Sequence, residues 1–192
     1  MKKNTIGFIG IGLMGAPMAK NLLKSKYQVK VFNRTKNKAA SLKKFGAKVC
    51  NSLKEVVSNQ DLIFTMLSDD KAIKKIYYNS EFLKNLKKGS TVIDMSSANP
   101  NTALNLSKLL KKHKVNFLDA PVSGGTTGAE NAELAIMVGG EKKIFNKYEV
   151  GYSDHLDNEL GILGSIVLGA KIVEKHIATK FNVPNIRLFQ LI

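Results

Sequence analysis

The sequence predicts an α/β fold in which a doubly wound, mostly parallel sheet is covered by helices on both faces. The order of apolar and amphipathic segments along the chain predicts it. Apolar runs that suit buried strands alternate with amphipathic stretches that suit helices, and the alternation continues to about residue 140. Such alternation indicates parallel strands joined by helical crossovers. The length, 192 residues, suits one domain of ordinary size with a short remainder.

The elements follow in order along the chain. The predicted strands are the short apolar runs Thr5–Ile9, Gln28–Phe32, Leu62–Met66, Thr91–Asp94, Asn116–Asp119 and Leu134–Val138. The predicted helices are the amphipathic segments Met14–Ser25, Lys36–Phe45, Asp69–Tyr78 and Asn99–Lys112. We expect the last strand to be bounded by Gly139-Gly140.

Composition excludes several classes of protein. With 44% apolar and 23% charged residues, the chain is neither disordered nor collagen-like. The net charge of +15 lies wholly in residues 1–149 and comes mainly from lysine. Arginine and aromatic residues, which serve base contacts and stacking, are scarce, so we expect solvated surface lysines and no nucleic-acid partner. A polyanionic partner is the alternative.

Cysteine content and hydropathy indicate the compartment. The single cysteine, Cys50, excludes an internal disulfide framework, which favours a reducing environment. No continuous apolar stretch reaches the roughly 18 residues of a membrane span. We therefore expect a cytoplasmic protein with no membrane partner.

A glycine-rich turn between the first strand and the first helix carries the strongest functional signal. It reads Gly10-Ile11-Gly12-Leu13-Met14-Gly15 and fits the dinucleotide-binding fingerprint. In that fingerprint the first glycine allows a tight turn, the second lets a pyrophosphate approach the backbone, and the third lets the helix pack closely. The helix N-terminus then offers N–H groups and a positive dipole end to the phosphates. The turn predicts a Rossmann-type fold that binds a dinucleotide; the alternative is a glycine-rich turn with no ligand.

The end of the second strand indicates which dinucleotide is bound. An acidic residue there usually bonds the ribose hydroxyls of NAD. This chain has Asn33-Arg34-Thr35 instead. Asn33 and Thr35 can donate to a 2′-phosphate, and Arg34 can pair with it and lie over the adenine ring. The sequence therefore predicts NADP, with NAD as the alternative. If no ligand binds here, Asn33 is a capping residue and Arg34 an ordinary surface residue.

Four ordered motifs point to a family. Around the glycine turn the chain reads Gly7-Phe8-Ile9-Gly10-Ile11-Gly12-Leu13-Met14-Gly15-Ala16-Pro17-Met18-Ala19. Later come Thr65-Met66-Leu67-Ser68, Asp94-Met95-Ser96-Ser97 and Asp119-Ala120-Pro121-Val122-Ser123-Gly124-Gly125. Over about residues 4–148 the chain resembles the β-hydroxyacid dehydrogenases, which include 3-hydroxyisobutyrate dehydrogenase, tartronate semialdehyde reductase and the glyoxylate/succinic semialdehyde reductases. It departs from the family at Ser68, where Pro is usual, and at Ser97, where Thr is usual.

The resemblance implies an activity and further site residues. The implied reaction is reversible hydride transfer between a nicotinamide and a small hydroxy acid or semialdehyde. Met66, Leu67 and Ser97 would lie along the cofactor, and Ser123, Gly124 and Gly125 would bind the substrate carboxylate. A glycine pair suits the last role because it permits close approach and the torsions of an anion-binding nest. A homo-oligomer is left open.

Two family features are missing from the chain. In the family a lysine on the first helix after the nucleotide domain serves as proton partner, and an all-helical domain follows. Gly169-Ala170-Lys171 is only a passing likeness, because Glu174 stands where Asn is expected. No catalytic residue and no metal ligand is assigned, and we expect weak activity or none from this chain alone.

The residues after Val150 resemble a different family. Gly151-Tyr152-Ser153-Asp154-His155 and the segment 168–176 are similar to the sialic acid synthases, metal-dependent TIM barrels that condense phosphoenolpyruvate with a sugar. The resemblance covers about residues 150–184 and places His155 and His176 at metal-ligand positions. It amounts to two barrel units, which cannot close a barrel, so we expect no working metal site.

These features divide the chain at about Glu149–Gly151. Residues 1–149 are predicted to form an NADP-binding Rossmann domain and residues 150–192 a short α/β tail, as in a truncated or recombined gene. In the tail we expect a helix at Leu160–Leu168 and a strand at Lys171–His176. Three functions stay open: a β-hydroxyacid dehydrogenase-type oxidoreductase, a non-catalytic dinucleotide-binding module, and a chimera with a synthase fragment.

Overall fold

The chain forms two compact units. The computed structural model describes residues 5–141, 151–154, 167, 172–177 and 188–191. The units are Met1–Gly140 and Glu141–Ile192. Residues 149 and 150 of the join predicted at 149–151 lie outside the described residues, so the boundary predicted there stays a prediction.

A seven-stranded sheet forms the centre of the first unit. Its strands are β1 (Ile6–Ile9), β2 (Val29–Phe32), β3 (Lys48–Val49), β4 (Leu62–Thr65), β5 (Thr91–Asp94), β6 (Asn116–Asp119) and β9 (Gly139–Gly140), and β7 (Val122–Ser123) with β8 (Ala135–Ile136) forms a separate two-stranded sheet. The strand order is β3-β2-β1-β4-β5-β6-β9, and only β9 runs antiparallel to its neighbour. This order, 3-2-1-4-5-6 with an antiparallel edge strand, is that of the Rossmann fold. The predicted fold class is confirmed.

Seven helices accompany these strands in the described part of the first unit. They are α1 (Gly15–Lys24), α2 (Lys36–Ala40), α3 (Leu53–Val57), α4 (Asp70–Tyr77), α5 (Ser80–Asn85), α6 (Pro100–Lys112) and α7 (Gly125–Asn131). The predicted helix at 36–45 is divided into α2 and a 3₁₀ turn at Lys43–Phe45. The sequence missed β3, α3, α5 and α7, because elements of two to seven residues are too short to show a clear period.

The core has two layers, one on each face of the sheet. Successive residues of a strand point to opposite faces. In β1 the side chains of Ile6 and Phe8 pack with α1 and β2, whereas Ile9 packs in the cluster that contains α3, α4 and α6. Both faces are therefore covered, and all four residues of β1 are buried.

The apolar run at 134–138 behaves differently from its prediction. A buried strand was expected there, but only Ala135–Ile136 is extended, pairing with Val122–Ser123. Ile136 and Val138 are 50% and 44% exposed. The main sheet is instead extended by Gly139–Gly140, the pair expected only to bound the run. Which segment pairs with the edge strand of a sheet depends on tertiary packing, and an apolar run in the sequence does not show it.

Side chains cap four helices at their N-termini, and α1 has no such cap. Oxygen atoms of Ser52, Asp69, Asn79 and Asn99 accept hydrogen bonds from the first turns of α3, α4, α5 and α6. These are the residue types preferred at that position. The residue before α1 is Met14, whose side chain makes no capping bond. Within α1, the N–H groups of Ala16 and Met18 donate to the carbonyls of Gly12 and Met14. No side chain of the described residues is thus available to cap the N–H groups that immediately precede the helix.

The second unit contains a three-stranded sheet. Its strands are β10 (Gly151–Asp154), β11 (Ile172–Ile177) and β12 (Leu188–Leu191). β10 and β11 are parallel, and β11 and β12 are antiparallel. β11 confirms the strand predicted at Lys171–His176. His155 and most of the helix predicted at Leu160–Leu168 lie outside the described residues. The expectation that His155 and His176 form no working metal site therefore stays a prediction.

Among the described residues, no helix combines the length and the apolar character needed to cross a membrane.

Candidate functional site

The glycine turn lies at the point where the strand order reverses. β1 is flanked by β2 on one side and by β4 on the other. The turn follows Ile9, the last residue of β1, and leads directly into α1. In open α/β sheets the crevice outside the carboxyl ends of the strands at this point is the usual ligand site.

The three glycines of the turn meet three different steric demands. Gly10 has a φ of +100°, and a Cβ there would lie 2.1 Å from the Met66 carbonyl oxygen. A Cβ on Gly15 would lie 1.9 Å from the Gly10 carbonyl oxygen. Around Gly12, by contrast, an added Cβ would meet nothing within 4 Å. Gly10 and Gly15 are required by the fold itself, and the space beside Gly12 is open.

Main-chain donors without a partner among the described residues lie next to this open space. In the described part of the chain, no acceptor is found for the N–H groups of Gly12, Leu13 or Met14. The Leu13 side chain is 85% exposed. Unpaired N–H groups at the N-terminus of a ten-residue helix form a site that favours an anion.

Asn33 ties the turn to the end of β2. Its Oδ1 accepts a hydrogen bond of 2.9 Å from the Ile11 N–H, and its Nδ2 donates to the Thr35 carbonyl at 3.0 Å. Arg34 and Thr35 are exposed. The Ile11 N–H is thus already paired within the chain, and the sequence reasoning missed this bridging role of Asn33.

The loop after β4 closes the other side of the turn. Met66 and Leu67 are half-buried, and the Met66 N–H donates to the Ile9 carbonyl at 2.9 Å. A Cβ on Gly10 would also lie 3.2 Å from Leu67 Cδ2. The loop therefore packs directly on the glycine turn. Ser97, in the following loop, is exposed.

A buried polar network lies beneath these loops. Asp94 Oδ1 accepts hydrogen bonds from Thr65 Oγ1 at 2.8 Å, from Ser96 Oγ at 2.6 Å and from the Ser96 N–H at 3.2 Å. Tyr77 shares a 2.7 Å hydrogen bond with Thr65. Burial raises the pKa of the Asp94 carboxyl, although the hydrogen bonds from Ser96 and Thr65 oppose the rise.

Asp119 stands beside Asp94 at the end of the next strand, and the two residues are register partners in β5 and β6. Burial, and then the neighbouring Asp94 carboxylate, raise the pKa of Asp119 to about 6. Two carboxyl groups at adjacent strand ends thus share a partly desolvated environment at the edge of the candidate crevice.

The segment expected to hold a substrate carboxylate lies after β6. Ser123 is half-buried in β7 and pairs with Ala135 in β8. Gly124 and Gly125 have φ values of +125° and +60°. These torsions strongly favour glycine, which explains the pair.

A contact between helices links this segment to the glycine turn. α7 begins at Gly125 and packs on α1, which begins at Gly15. Asn21 Nδ2 in α1 donates to the Ala129 carbonyl in α7 at 2.7 Å. The fold therefore places the predicted cofactor segment and the predicted substrate segment at the starts of two neighbouring helices. No sequence signal marks Asn21, because a half-buried asparagine in a helix is not distinctive.

The part of the chain that contains these residues also matches a known protein family. A family model described as the NAD binding domain of 6-phosphogluconate dehydrogenase matches residues 5–150. The chain belongs to this family. The match covers the sheet, the glycine turn and the segment after β6.

Relatives place this NAD-binding domain among the β-hydroxyacid dehydrogenases. An uncharacterised oxidoreductase of Bacillus subtilis is 42% identical over 144 residues, covering 74% of this chain and 50% of that protein. Glyoxylate/succinic semialdehyde reductase 1 of Arabidopsis thaliana is 34% identical over 168 residues, covering 87% of this chain and 58% of that protein. The resemblance of residues 4–148 to the β-hydroxyacid dehydrogenases is confirmed, whereas that of residues 150–184 to the sialic acid synthases stays a prediction. The chain spans about half the length of these relatives.

Solved structures agree on the fold. Mycobacterium tuberculosis 3-hydroxyisobutyrate dehydrogenase, solved with L-serine, superposes with a TM-score of 0.72 at 34% identity, covering 76% of this chain and 50% of that one. Two structures of a Myxococcus stipitatus imine reductase also match. The complex with NADP⁺ has a TM-score of 0.68 at 27% identity, covering 74% of this chain and 49% of that one. The V8 variant in complex with NAD⁺ has a TM-score of 0.71 at 25% identity, covering 76% of this chain and 50% of that one. This NAD-binding domain thus has structural neighbours that bind either dinucleotide.

Proposed function

We propose that the first unit binds NADP(H) and, in a complete enzyme, presents it for hydride transfer to or from a small hydroxy acid or semialdehyde. The observation that carries the proposal is the N-terminus of α1. It has no side-chain cap, its preceding N–H groups lack acceptors among the described residues, and the space where Gly12 would carry a Cβ is open. A pyrophosphate supplies the acceptors and the negative charge that this end of the helix favours.

The preference for NADP over NAD rests on the end of β2. Asn33, Arg34 and Thr35 follow that strand, and none carries a negative charge that would repel a 2′-phosphate. The Arg34 guanidinium is exposed and can form a charge-assisted pair with the phosphate. Asn33 uses its amide to hold Ile11 and Thr35, so we assign phosphate recognition chiefly to Arg34 and the Thr35 hydroxyl.

The substrate half of the proposal rests on Ser123, Gly124 and Gly125. The Ser123 hydroxyl and the N–H groups of the glycine pair are the donors we assign to a substrate carboxylate. The positive φ values of both glycines are compatible with a main-chain nest for an anion. Hydride transfer to or from an alcohol also needs a proton partner. We assign no catalytic residue here, so we expect this chain to bind the cofactor with little or no turnover.

The cofactor preference is tested by titrating the protein with NADPH and NADH while following nucleotide fluorescence. Arg34→Ala removes the proposed charge-assisted contact, so NADPH binding should weaken by about 1–3 kcal/mol while NADH binding is nearly unchanged. Lys88→Ala is the matched control, since it also removes one exposed positive charge but lies beside the amino end of β5. Equal weakening of both nucleotides by Arg34→Ala would refute the assignment.

The catalytic part is tested by adding glyoxylate or succinic semialdehyde to the protein loaded with NADPH, and 3-hydroxyisobutyrate to the protein loaded with NADP⁺. Tight NADPH binding without turnover supports a binding domain that depends on further structure for catalysis. Turnover of any of these compounds would show that the chain itself supplies the proton partner. Failure to bind either nucleotide would overturn the proposed function.

A further inference from the structure

Ser96 joins two loops through one buried hydroxyl. Its side chain is 0% exposed. The hydroxyl donates to Asp94 Oδ1 at 2.6 Å and accepts from the Leu67 N–H at 2.9 Å. The loop after β4 is thereby attached to the end of β5 by a side chain that solvent does not reach.

Asp94, which accepts the hydrogen bond from the Ser96 hydroxyl, is held by further hydrogen bonds. Asp94 is 1% exposed and also accepts a hydrogen bond from Thr65 Oγ1, at 2.8 Å. Since Thr65 gives its one hydroxyl proton to Asp94, the Tyr77 hydroxyl donates to Thr65. The chain of bonds runs from α4 through β4 to β5. Breaking it leaves a buried polar group unpaired, which is costly, so the network favours one arrangement.

Leu67, which donates its N–H to Ser96, belongs to the loop that packs on the glycine turn. Leu67 follows Met66, whose carbonyl oxygen packs so closely on Gly10 that a Cβ there would lie 2.1 Å away. The position of the 66–67 loop therefore constrains the turn from the β4 side. On the β2 side, Asn33 holds the turn independently.

We propose that Ser96 is a positioning residue that holds the Met66–Leu67 loop against the glycine turn and so shapes the nicotinamide half of the cofactor crevice. The inference rests on the proposed NADP(H) binding. The adenosine half of the dinucleotide is assigned to the β2 side, at Arg34, so the nicotinamide half extends across the switch point toward β4 and β5. Ser96 acts through Leu67 and need not touch the cofactor.

The experiment compares two ligands on one variant. NADPH spans both halves of the crevice, whereas 2′,5′-ADP occupies only the adenosine half. Ser96→Ala should raise the Kd for NADPH about tenfold, the scale of one lost hydrogen bond of this kind. The Kd for 2′,5′-ADP should stay within about twofold. A general loss of structure would weaken both ligands together.

Ser90→Ala is the matched control. Ser90 is buried at the amino end of the same strand, and its hydroxyl has no hydrogen-bond partner among the described residues. The same substitution there should leave both Kd values unchanged. If Ser96→Ala binds neither ligand, Ser96→Cys takes its place. The thiol has nearly the same shape and hydrogen-bonds weakly, and we expect a smaller loss confined to NADPH.

Each outcome decides a separate claim. Wild-type protein that binds neither ligand refutes the proposed function, and the inference with it. If the wild type binds both, then equal losses for the two ligands in the variants, or no loss for either, refute the positioning role alone. A loss confined to NADPH supports it.

Discussion

Single residues determine whether the glycine turn forms and whether it stays open. Gly10 and Gly15 lie so close to backbone oxygen atoms that no side chain fits at either position. Gly12 has free space and does not carry a positive φ. Three glycines in one short motif therefore serve different purposes, two structural and one that we assign to a ligand.

This difference predicts opposite effects for two similar substitutions. Gly15→Ala should lower the free energy of unfolding by about 1–3 kcal/mol, because the backbone must move to admit the methyl group. Gly12→Ala should leave stability unchanged or raise it by up to about 1 kcal/mol, since the unfolded chain loses freedom. The same methyl group should weaken NADPH binding, because it occupies space that we assign to the pyrophosphate.

Urea denaturation and nucleotide titration of both variants check this prediction. Gly46→Ala is not a suitable control, because Gly46 has a φ of +94° and would be strained by any side chain. The wild type with and without NADPH provides the reference. If Gly12→Ala bound NADPH as tightly as the wild type, the pyrophosphate would have to lie elsewhere.

At the level of strands, polar residues share one register at the carboxyl end of the sheet. Thr65, Asp94 and Asp119 are partners across β4, β5 and β6. Parallel strands bring their carboxyl ends to one edge, so three distant parts of the sequence form one row. Two of the three carry carboxyl groups. Burial, and then the neighbouring Asp94 carboxylate, raise the pKa of Asp119.

Asp119 makes the stability of the fold depend on pH. Its pKa is about 6 in the folded chain, raised from a reference value of 3.8. Between these values the folded state binds more protons than the unfolded state, so stability falls as pH rises from about 4 to about 6. Asp119→Asn should remove this decline and raise stability at pH 7 by about 1–2 kcal/mol, less than the full shift because the side chain is partly exposed.

Asp61 is the control with the opposite sign. A hydrogen bond from Lys87, and then those from Thr5, lower the pKa of Asp61 to about 2. Its contribution is present above about pH 4 and is lost as pH falls toward 2, so Asp61→Asn should reduce stability at pH 7. Chemical denaturation at several pH values measures both variants. A stability profile of Asp119→Asn parallel to that of the wild type would contradict the assignment.

At the level of the whole molecule, the first unit contains its own core. The two clusters of buried apolar side chains that cover the sheet are formed by residues between Ile6 and Leu134. The cofactor turn, the 66–67 loop and the segment after β6 all lie within Met1–Gly140. Folding and nucleotide binding should therefore be properties of this unit.

A chain shortened to residues 1–141 tests that expectation. It should unfold in one cooperative transition, because both core layers are retained, with a midpoint within about 4 °C of the full chain. Its Kd for NADPH should stay within about twofold. Thermal unfolding followed by circular dichroism, together with titration, gives both values. An unfolded fragment would show that residues 142–192 contribute to the stability of the first unit.

The sequence alone determined the fold class and the position of the cofactor turn. Alternating patterns identified most of the long elements, and the spacing of Gly10, Gly12 and Gly15 located the turn, because both signals are local and depend on backbone geometry. Short elements such as β3 and α7, and the edge pairing of Gly139–Gly140, were missed because they depend on contacts distant in sequence.

Tertiary structure alone decided how the parts of the candidate site support one another. Asn33 bonding to Ile11, Asn21 to Ala129, and Ser96 to Leu67 each join residues between 22 and 108 positions apart. No local pattern marks such pairs, since a polar side chain finds its partner only when packing has brought the two segments together. The motif therefore indicates where a dinucleotide binds, while the tertiary structure determines which side chains position the segments of that site.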